Sequence, residues 1–499
     1  MLSRTVVTGR SALASISTFA TATEMSAALA TKQVSAVELA QDAIAQIERH
    51  DGAVNAVCVR MFDRGLQAAR DADAALARGE TKPLLGVPMT VKESYNVAGT
   101  PTTWGFPAHK DFIAKEDALA ITRVRDAGAV ILGKTNVPIA LGDWQSYNDI
   151  YGTTGNPYDL GRTPGGSSGG SSAALAAGYG ALSLGSDIGG SLRVPGHYCG
   201  IYAHKPTLAL VPTRGHILPG MPPLPSSRDL SVIGPMARGA ADLTLLLDVI
   251  AGPDPWHDGV AYKLDLPAAR HGAIADFRIL VLDTHPHIAT STSVRGAVDV
   301  LATNLAKSGA RVSRASPLLP DLAETGGLYM RMLVALLAAG MPAQELDQAR
   351  PRLAELDPND HSPASERLRG AFSTHAQYLA DDGARNRLRA QWRALFREFD
   401  AIICPVMPTP AYPHDHSPDQ NTRLIDIDGV PYPYSDQLLW PGIATLPGLP
   451  ATAIPVAMSP EGLPIGVQIV GPWLEDRTPL KLAELIEHAF GGFVPPKGF

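Results

Sequence analysis

Two glycine-rich runs in this 499-residue chain place serines where backbone donors can surround them. The first is Gly185-Ser186-Asp187-Ile188-Gly189-Gly190-Ser191-Leu192-Arg193, with two glycines directly before a serine. Glycine lets backbone N–H groups come close to a reacting atom. Such donors stabilise the negative charge that develops on a carbonyl oxygen during acyl transfer. Taken alone, the run reads equally well as an ordinary glycine turn. The second run, Gly165-Gly166-Ser167-Ser168-Gly169, formally matches the G-x-S-x-G elbow that exposes a nucleophilic serine between a strand and a helix. Residues 156–164 before it are turn formers rather than a strand, which argues against an elbow. A serine nucleophile also needs a base. None of the 14 histidines stands in a recognisable triad context, and His197 and His204 read as polar surface or packing residues. Lysine is the alternative. Lys92 ends the apolar run Gly86-Val87-Pro88-Met89-Thr90-Val91, where burial would depress its pKa and leave part of it neutral. A lysine there could instead snorkel its ammonium to water.

The elements that must hold these groups follow from hydrophobic spacing. Residues 24–50 read as helix, broken at Thr31–Ser35, and Ser35 with Glu38 forms a capping-box signature. Residues 63–78 form an alanine-rich helix ending at Arg78-Gly79. Strand 86–92, helix 118–128 and strand 129–133 follow one another, an order that argues for an α/β fold. A second strand–helix–strand unit spans 276–314, and residues 320–400 are helical and amphipathic, with the densest aliphatic cluster at Leu328 to Leu337. Strands are expected at 401–406 and 451–456, and a last helix at 480–490. The glycine- and serine-crowded stretch 152–200 is no flexible linker, because it carries ordered apolar pieces at 173–177 and 181–184.

Composition narrows the function classes. Hydrophobic residues make up 45% and charged residues 18%, enough for a sizeable core. Net charge is −7, so no basic excess is present to hold a nucleic acid backbone. No apolar stretch is long enough to span a bilayer. Cys58, Cys199 and Cys404 are odd in number and widely spaced, which excludes a disulfide framework and fits a reducing compartment. Residues 1–23 carry Arg4 and Arg10 and no acid, a composition shared by transit peptides and by frayed termini. The expected location is cytoplasmic. The pairs His285/His287 and His414/His416 lack matching ligands at zinc spacing, so no metal and no cofactor are expected.

Combined, these motifs resemble the amidase signature family of serine hydrolases. The residues that carry the resemblance are Pro164 to Ala174, Gly185 to Arg193, the strand ending Lys92-Glu93, Cys199 to Thr207, Leu446 to Pro455 and Pro464 to Gly471. It covers about residues 24–490. The family fold it implies is α/β, a single large domain with a central mixed β-sheet covered by helices on both faces. The amidase domain would span 24–499, after a flexible extension over 1–23. Within it lie N-terminal helices (24–80), the signature core (81–275), a variable helical segment lining the pocket (276–400) and a C-terminal core part (401–499).

The resemblance implies a Ser–cis-Ser–Lys triad, with Ser191 as nucleophile, Ser167 as bridging serine and Lys92 as base. It also implies a cis peptide at Gly166–Ser167 and an oxyanion hole of the N–H groups of Ile188, Gly189, Gly190 and Ser191. Ser168 would lie near the triad, and Asp187 and Arg193 would form a buried ion pair that pins the glycine loop. The substrate pocket would include Leu141, Asp143, Trp144 and Gly166, with Leu328, Tyr329, Met332 and Leu333 on the other side. An apolar lining favours aryl or alkyl amides, with esters or carbamates as further candidates. The expected activity is an amidase acting on linear amides (EC 3.5.1.4). The alternatives are a catalytically silent binding scaffold and a glutaminase of the glutamyl-tRNA amidotransferase A type, which works beside a partner chain. The frequent family Asn before Leu-x-Gly-Leu-Pro is Thr445 here, which weighs against the glutaminase. The expected partner is a small-molecule amide, with a homodimer left open and neither nucleic acid nor membrane.

Overall fold

The computed structural model describes residues 16–225 and 228–499. The strands in chain order are β1 (Val57–Arg60), β2 (Pro88–Lys92), β3 (Val130–Thr135), β4 (Tyr147–Asn148), β5 (Gly152–Thr153), β6 (Leu182–Asp187), β7 (Tyr202–Lys205), β8 (Val232–Ala237), β9 (Arg278–Val281), β10 (Arg311–Ser313), β11 (Ala401–Pro405), β12 (Leu424–Ile427), β13 (Val430–Pro433), β14 (Ala451–Met458) and β15 (Pro464–Val470). The helices are α1 (Ala22–Ala30), α2 (Ala36–Val54), α3 (Phe62–Ala77), α4 (Leu119–Asp126), α5 (Gly169–Ala176), α6 (Arg193–Tyr198), α7 (Ala240–Ile250), α8 (Thr292–Lys307), α9 (Leu322–Ala338), α10 (Ala343–Ala354), α11 (Pro363–Ala371), α12 (His375–Glu398), α13 (Leu439–Thr445) and α14 (Arg477–Phe490).

One 11-stranded sheet runs in the order β1-β3-β2-β6-β8-β7-β14-β15-β11-β9-β10. It is mixed: β2 runs parallel to β3 and β6, and β9 parallel to β10 and β11, while β14 and β15 are antiparallel. Both faces are covered, and alternation along the strands divides the core. Ile279, Val281, Ile403, Val467 and Ile469 pack into one apolar cluster with α2, α3, α7 and α14. Leu280, Leu282, Ile402, Cys404 and Val470 pack into another with α9, α12 and α13. The expected α/β architecture is borne out.

Two local readings shift. Thr21 and Glu24 form a capping box that starts α1. The N–H groups of Ala22 and Thr23 donate to Asp242 (2.7 and 2.9 Å), and Arg238 donates to the carbonyls of Phe19 and Ala20. Residues 19–23, the end of the extension expected over 1–23, are thus tied to the body of the fold, and residues 1–15 lie outside the described residues. The central strands β6, β7 and β8 carry only weak strand signals in the sequence. Ser183, Gly185 and Pro235 are poor strand formers, and packing between neighbours fixes these strands in place.

Candidate active site

Lys92 is the last residue of β2 and is fully buried. Parallel pairing sets Val91 beside Leu184, so the end of β2 lies against the middle of β6. Lys92 Nζ lies 2.7 Å from Ser167 Oγ, 3.0 Å from Ser168 Oγ and 2.9 Å from Ser186 Oγ. Among the described residues its hydrogen-bond partners are these three hydroxyls and no carboxylate. Burial drives its pKa well below the ordinary lysine value, and the charge of Asp187 offsets only part of that. Ser168 Oγ donates to Ser186 O (3.3 Å), so it accepts from Lys92. A neutral amine has two donors and one lone pair. It can therefore donate to two of these hydroxyls and accept from the third.

Ser167 follows a cis peptide bond, Gly166–Ser167. Gly166 has to be glycine for lack of space, since a Cβ there would stand 2.3 Å from Asp143 O. α5 begins just beyond, and the residues before Gly166 are irregular rather than strand, so the elbow geometry is absent here.

Ser191 ends the glycine loop after β6 and is 5% exposed. Gly190, at φ +96°, has no room for a side chain against Val194 and Pro441. The loop's polar groups can be followed one by one. Gly190 N–H donates to Asp187 Oδ1 (2.9 Å), and Leu192 N–H to Asp187 Oδ2 (3.2 Å). Ile188 O accepts from Tyr329 Oη (2.8 Å), Gly189 O from Trp144 Nε1 (2.9 Å), and Gly190 O from Val194 N–H (2.7 Å). Ser191 O accepts from Ser168 N–H (3.3 Å). Among the described residues no acceptor meets the N–H of Ile188, Gly189 or Ser191. Of the four donors read from the sequence, Gly190 is thus already committed to Asp187.

Arg193 and Asp187 are both fully buried and meet in a two-point pair, Nε on Oδ2 and Nη2 on Oδ1, each at 3.0 Å. Desolvation raises the Asp187 pKa, but Arg193 outweighs it and holds the carboxyl below its usual range. The other Arg193 donors reach Pro441 O (3.0 Å), Gln468 Oε1 (2.6 Å) and Thr445 Oγ1 (2.8 Å). Thr445 therefore braces the loop from behind, and its identity says little about the substrate.

The pocket residues divide. Asp143 does not stand free for a substrate: its carboxylate accepts from Arg423 Nη1 (2.6 Å) and Tyr434 Oη (2.6 Å). Trp144 is buried, with its indole N–H on the glycine loop and its ring against Tyr434. Leu141 is half-buried at the end of a short turn, its N–H returned to Pro138. Leu328, Met332 and Leu333 point into an apolar core, and of that expected group Tyr329 reaches the glycine loop. A cavity of about 580 Å³ lies elsewhere, lined by Arg162, Thr409, His414, Asp426 and Tyr434 among others, and none of Lys92, Ser167 and Ser191 lines it.

Two polar residues near Lys92 escaped the sequence reading. Ser186 is one. The other is His216, which bonds Ser94 (2.9 Å) and is pushed down to about 3 by desolvation, with Lys92 and Arg228 adding to the shift. Ser186 sits in the motif already singled out, but nothing in the motif ties it to a residue 94 positions away. His197 and His204 are buried and occupied, the first by Gly466 and Thr409, the second by Thr452 and Asp476. Among the described residues no three His, Cys, Asp or Glu side chains gather as a metal site. No helix among them is long and apolar enough to cross a membrane.

A family model described as Amidase matches residues 38–480. The chain is 32% identical over 486 residues to the A subunit of the glutamyl-tRNA(Gln) amidotransferase of Koribacter versatilis (strain Ellin345), covering 93% of this chain and 96% of that one. It is 33% identical over 466 residues to AtzE, one subunit of the 1-carboxybiuret hydrolase of Pseudomonas sp. (strain ADP), covering 90% and 94%. The fold matches the crystal structure of a bacterial aryl acylamidase of the amidase signature family, with a TM-score of 0.77 at 22% identity over 95% and 96% of the two chains.

Proposed function

The chain belongs to the amidase signature family of C–N hydrolases, and from that premise we propose that it is a stand-alone amidase of small aryl or alkyl carboxylic amides. The observation that carries the reading is Lys92: an amine at zero exposure, pushed toward its neutral form and bonded to hydroxyls alone. A silent scaffold has no chemical need for such a group.

The steps follow from the donors and acceptors. Neutral Lys92 takes the proton of Ser167 as Ser167 takes that of Ser191. Ser191 Oγ attacks the amide carbon, and the new oxyanion accepts from the free N–H groups of Ile188, Gly189 and Ser191. The ammonium of Lys92 returns its proton through Ser167 to the leaving nitrogen. The C–N bond breaks, the amine departs and an ester remains on Ser191. Water attacks that ester by the same proton route and releases the carboxylate.

Apolar side chains around the loop support an apolar acyl group. Leu438 and Pro441 crowd Gly189 and Gly190, and Trp144 and Tyr329 hold the loop from two sides. A panel of anilides, aliphatic amides, esters and carbamates tests the substrate class. Preference for a short charged amide over every apolar one would contradict it. The second reading, a glutaminase of the amidotransferase type, is favoured by the match to the Koribacter versatilis protein. Glutamine hydrolysis by the isolated chain at rates above those for all anilides would select it.

A further inference from the structure

The peptide joining Ile188 to Gly189 is held from one side only. Its carbonyl accepts from Tyr329 Oη at 2.8 Å, and its N–H, that of Gly189, meets no acceptor among the described residues. The peptide is trans, so N–H and C=O point in opposite directions. Fixing the carbonyl therefore fixes where the N–H aims. The following peptide is different: Trp144 holds its carbonyl and Asp187 its N–H, so both ends are spent.

Tyr329 is built for this contact. It lies on α9, far along the chain from the glycine loop, and is fully buried. Gly442 lets the ring approach, since a Cβ there would stand 2.4 Å from the Tyr329 ring. Desolvation first, and the Asp187 charge second, raise the phenol's pKa above its ordinary value. The hydroxyl thus keeps its proton and remains a donor at any working pH.

We propose that Tyr329 is a positioning residue for acyl transfer: its hydroxyl, by holding the Ile188 carbonyl, aims the Gly189 N–H at the oxyanion formed on the Ser191 adduct. This rests on the reading of Ser191 as nucleophile. Tyr329 touches no reacting atom in this account and acts through one peptide plane. Without the hydroxyl, the Ile188 carbonyl loses its partner and the peptide can rotate.

The test is Tyr329→Phe, which keeps the ring and removes the donor. For the best anilide of the panel, kcat should fall on the order of 100-fold, as for a lost oxyanion donor, with KM within about twofold. Affinity for a trifluoromethyl ketone, whose adduct carries an oxyanion, should fall in parallel, while affinity for the product carboxylate should hold. Unchanged kcat and ketone affinity would overturn the proposal, and so would equal losses in ketone and carboxylate affinity. Should the variant fail to fold, a crystal structure of the wild-type ketone adduct decides. The proposal requires the oxyanion within hydrogen-bond distance of Gly189 N, with Ile188 O still on Tyr329. An oxyanion turned away from Gly189 overturns it. If the ketone forms no bond to Ser191 in the wild type, the nucleophile reading falls and the proposal with it. If that bond forms and Tyr329→Phe behaves as wild type, the proposal alone falls.

Discussion

Lys92 Nζ stands 2.7 Å from Ser167 Oγ in a fully buried setting, with two further serine hydroxyls and no acid among its hydrogen-bond partners. In most buried lysines a carboxylate holds the charge. Here the acid whose charge acts on the lysine, Asp187, is bound two-fold by Arg193. The site thus keeps a lysine poised to accept a proton rather than one locked as a cation.

The first prediction concerns pH. Burial lowers the Lys92 pKa, so the active neutral form gains population as pH rises through that lowered value. kcat/KM should climb along a single limb positioned well below the ordinary lysine pKa of about 10.4, then plateau. Lys92→Ala should remove the limb and most of the rate. Lys92→Arg should not rescue it, because guanidinium cannot accept a proton. A matched ester should suffer less than the amide from Lys92→Ala, since an alkoxide needs less protonation to leave. pH profiles of wild type and both variants check this, and efficient amide hydrolysis by Lys92→Arg would exclude lysine as the base.

Ser186→Ala removes one acceptor from Lys92. Acceptors favour the ammonium over the amine, so their loss lowers the pKa. The rising limb should move to lower pH while the plateau rate drops, because the amine loses one of three anchors. A limb displaced to higher pH would contradict this account of the hydroxyl cage.

Arg193→Met should destabilise the fold by about 3–5 kcal/mol, because it strands the Asp187 carboxylate without a counter-charge at zero exposure. Arg193→Lys should recover little, since an ammonium cannot reproduce the two-point pair and the contacts to Pro441, Gln468 and Thr445 together. Denaturant unfolding measures both. Near-wild-type stability of Arg193→Met would show that the pair contributes little.

The sequence disclosed what local chemistry demands and missed what only the fold brings together. Continuous apolar runs such as Ile279 to Leu282 mark several strands, from β2 and β3 to β9, β11 and β14. β6 is weakly marked because Ser183 and Gly185 are poor strand formers, yet its pairing with β2 and β8 makes it central. The glycine runs stood out because close backbone approach admits no other residue, as at Gly166. Ser186 did not stand out as a neighbour of Lys92, because that contact depends on the β2–β6 register. Asp143 looked like a substrate contact. Its partners Arg423 and Tyr434 lie 280 and 291 residues away, and no local pattern reveals them. Tyr329 reads as a pocket residue, but its hydrogen bond to Ile188 belongs to the packing of α9 on the loop.

The central claim is that Ser191 carries the acyl group and Ser167 relays its proton. The most direct measurement is mass-spectrometric peptide mapping after reaction with a fluorophosphonate, on wild type and Ser191→Ala. The account predicts one adduct on Ser191 in the wild type, none in the variant, and turnover of the variant below about one-thousandth of wild type. An adduct on Ser167, or an unlabelled wild type, would contradict it.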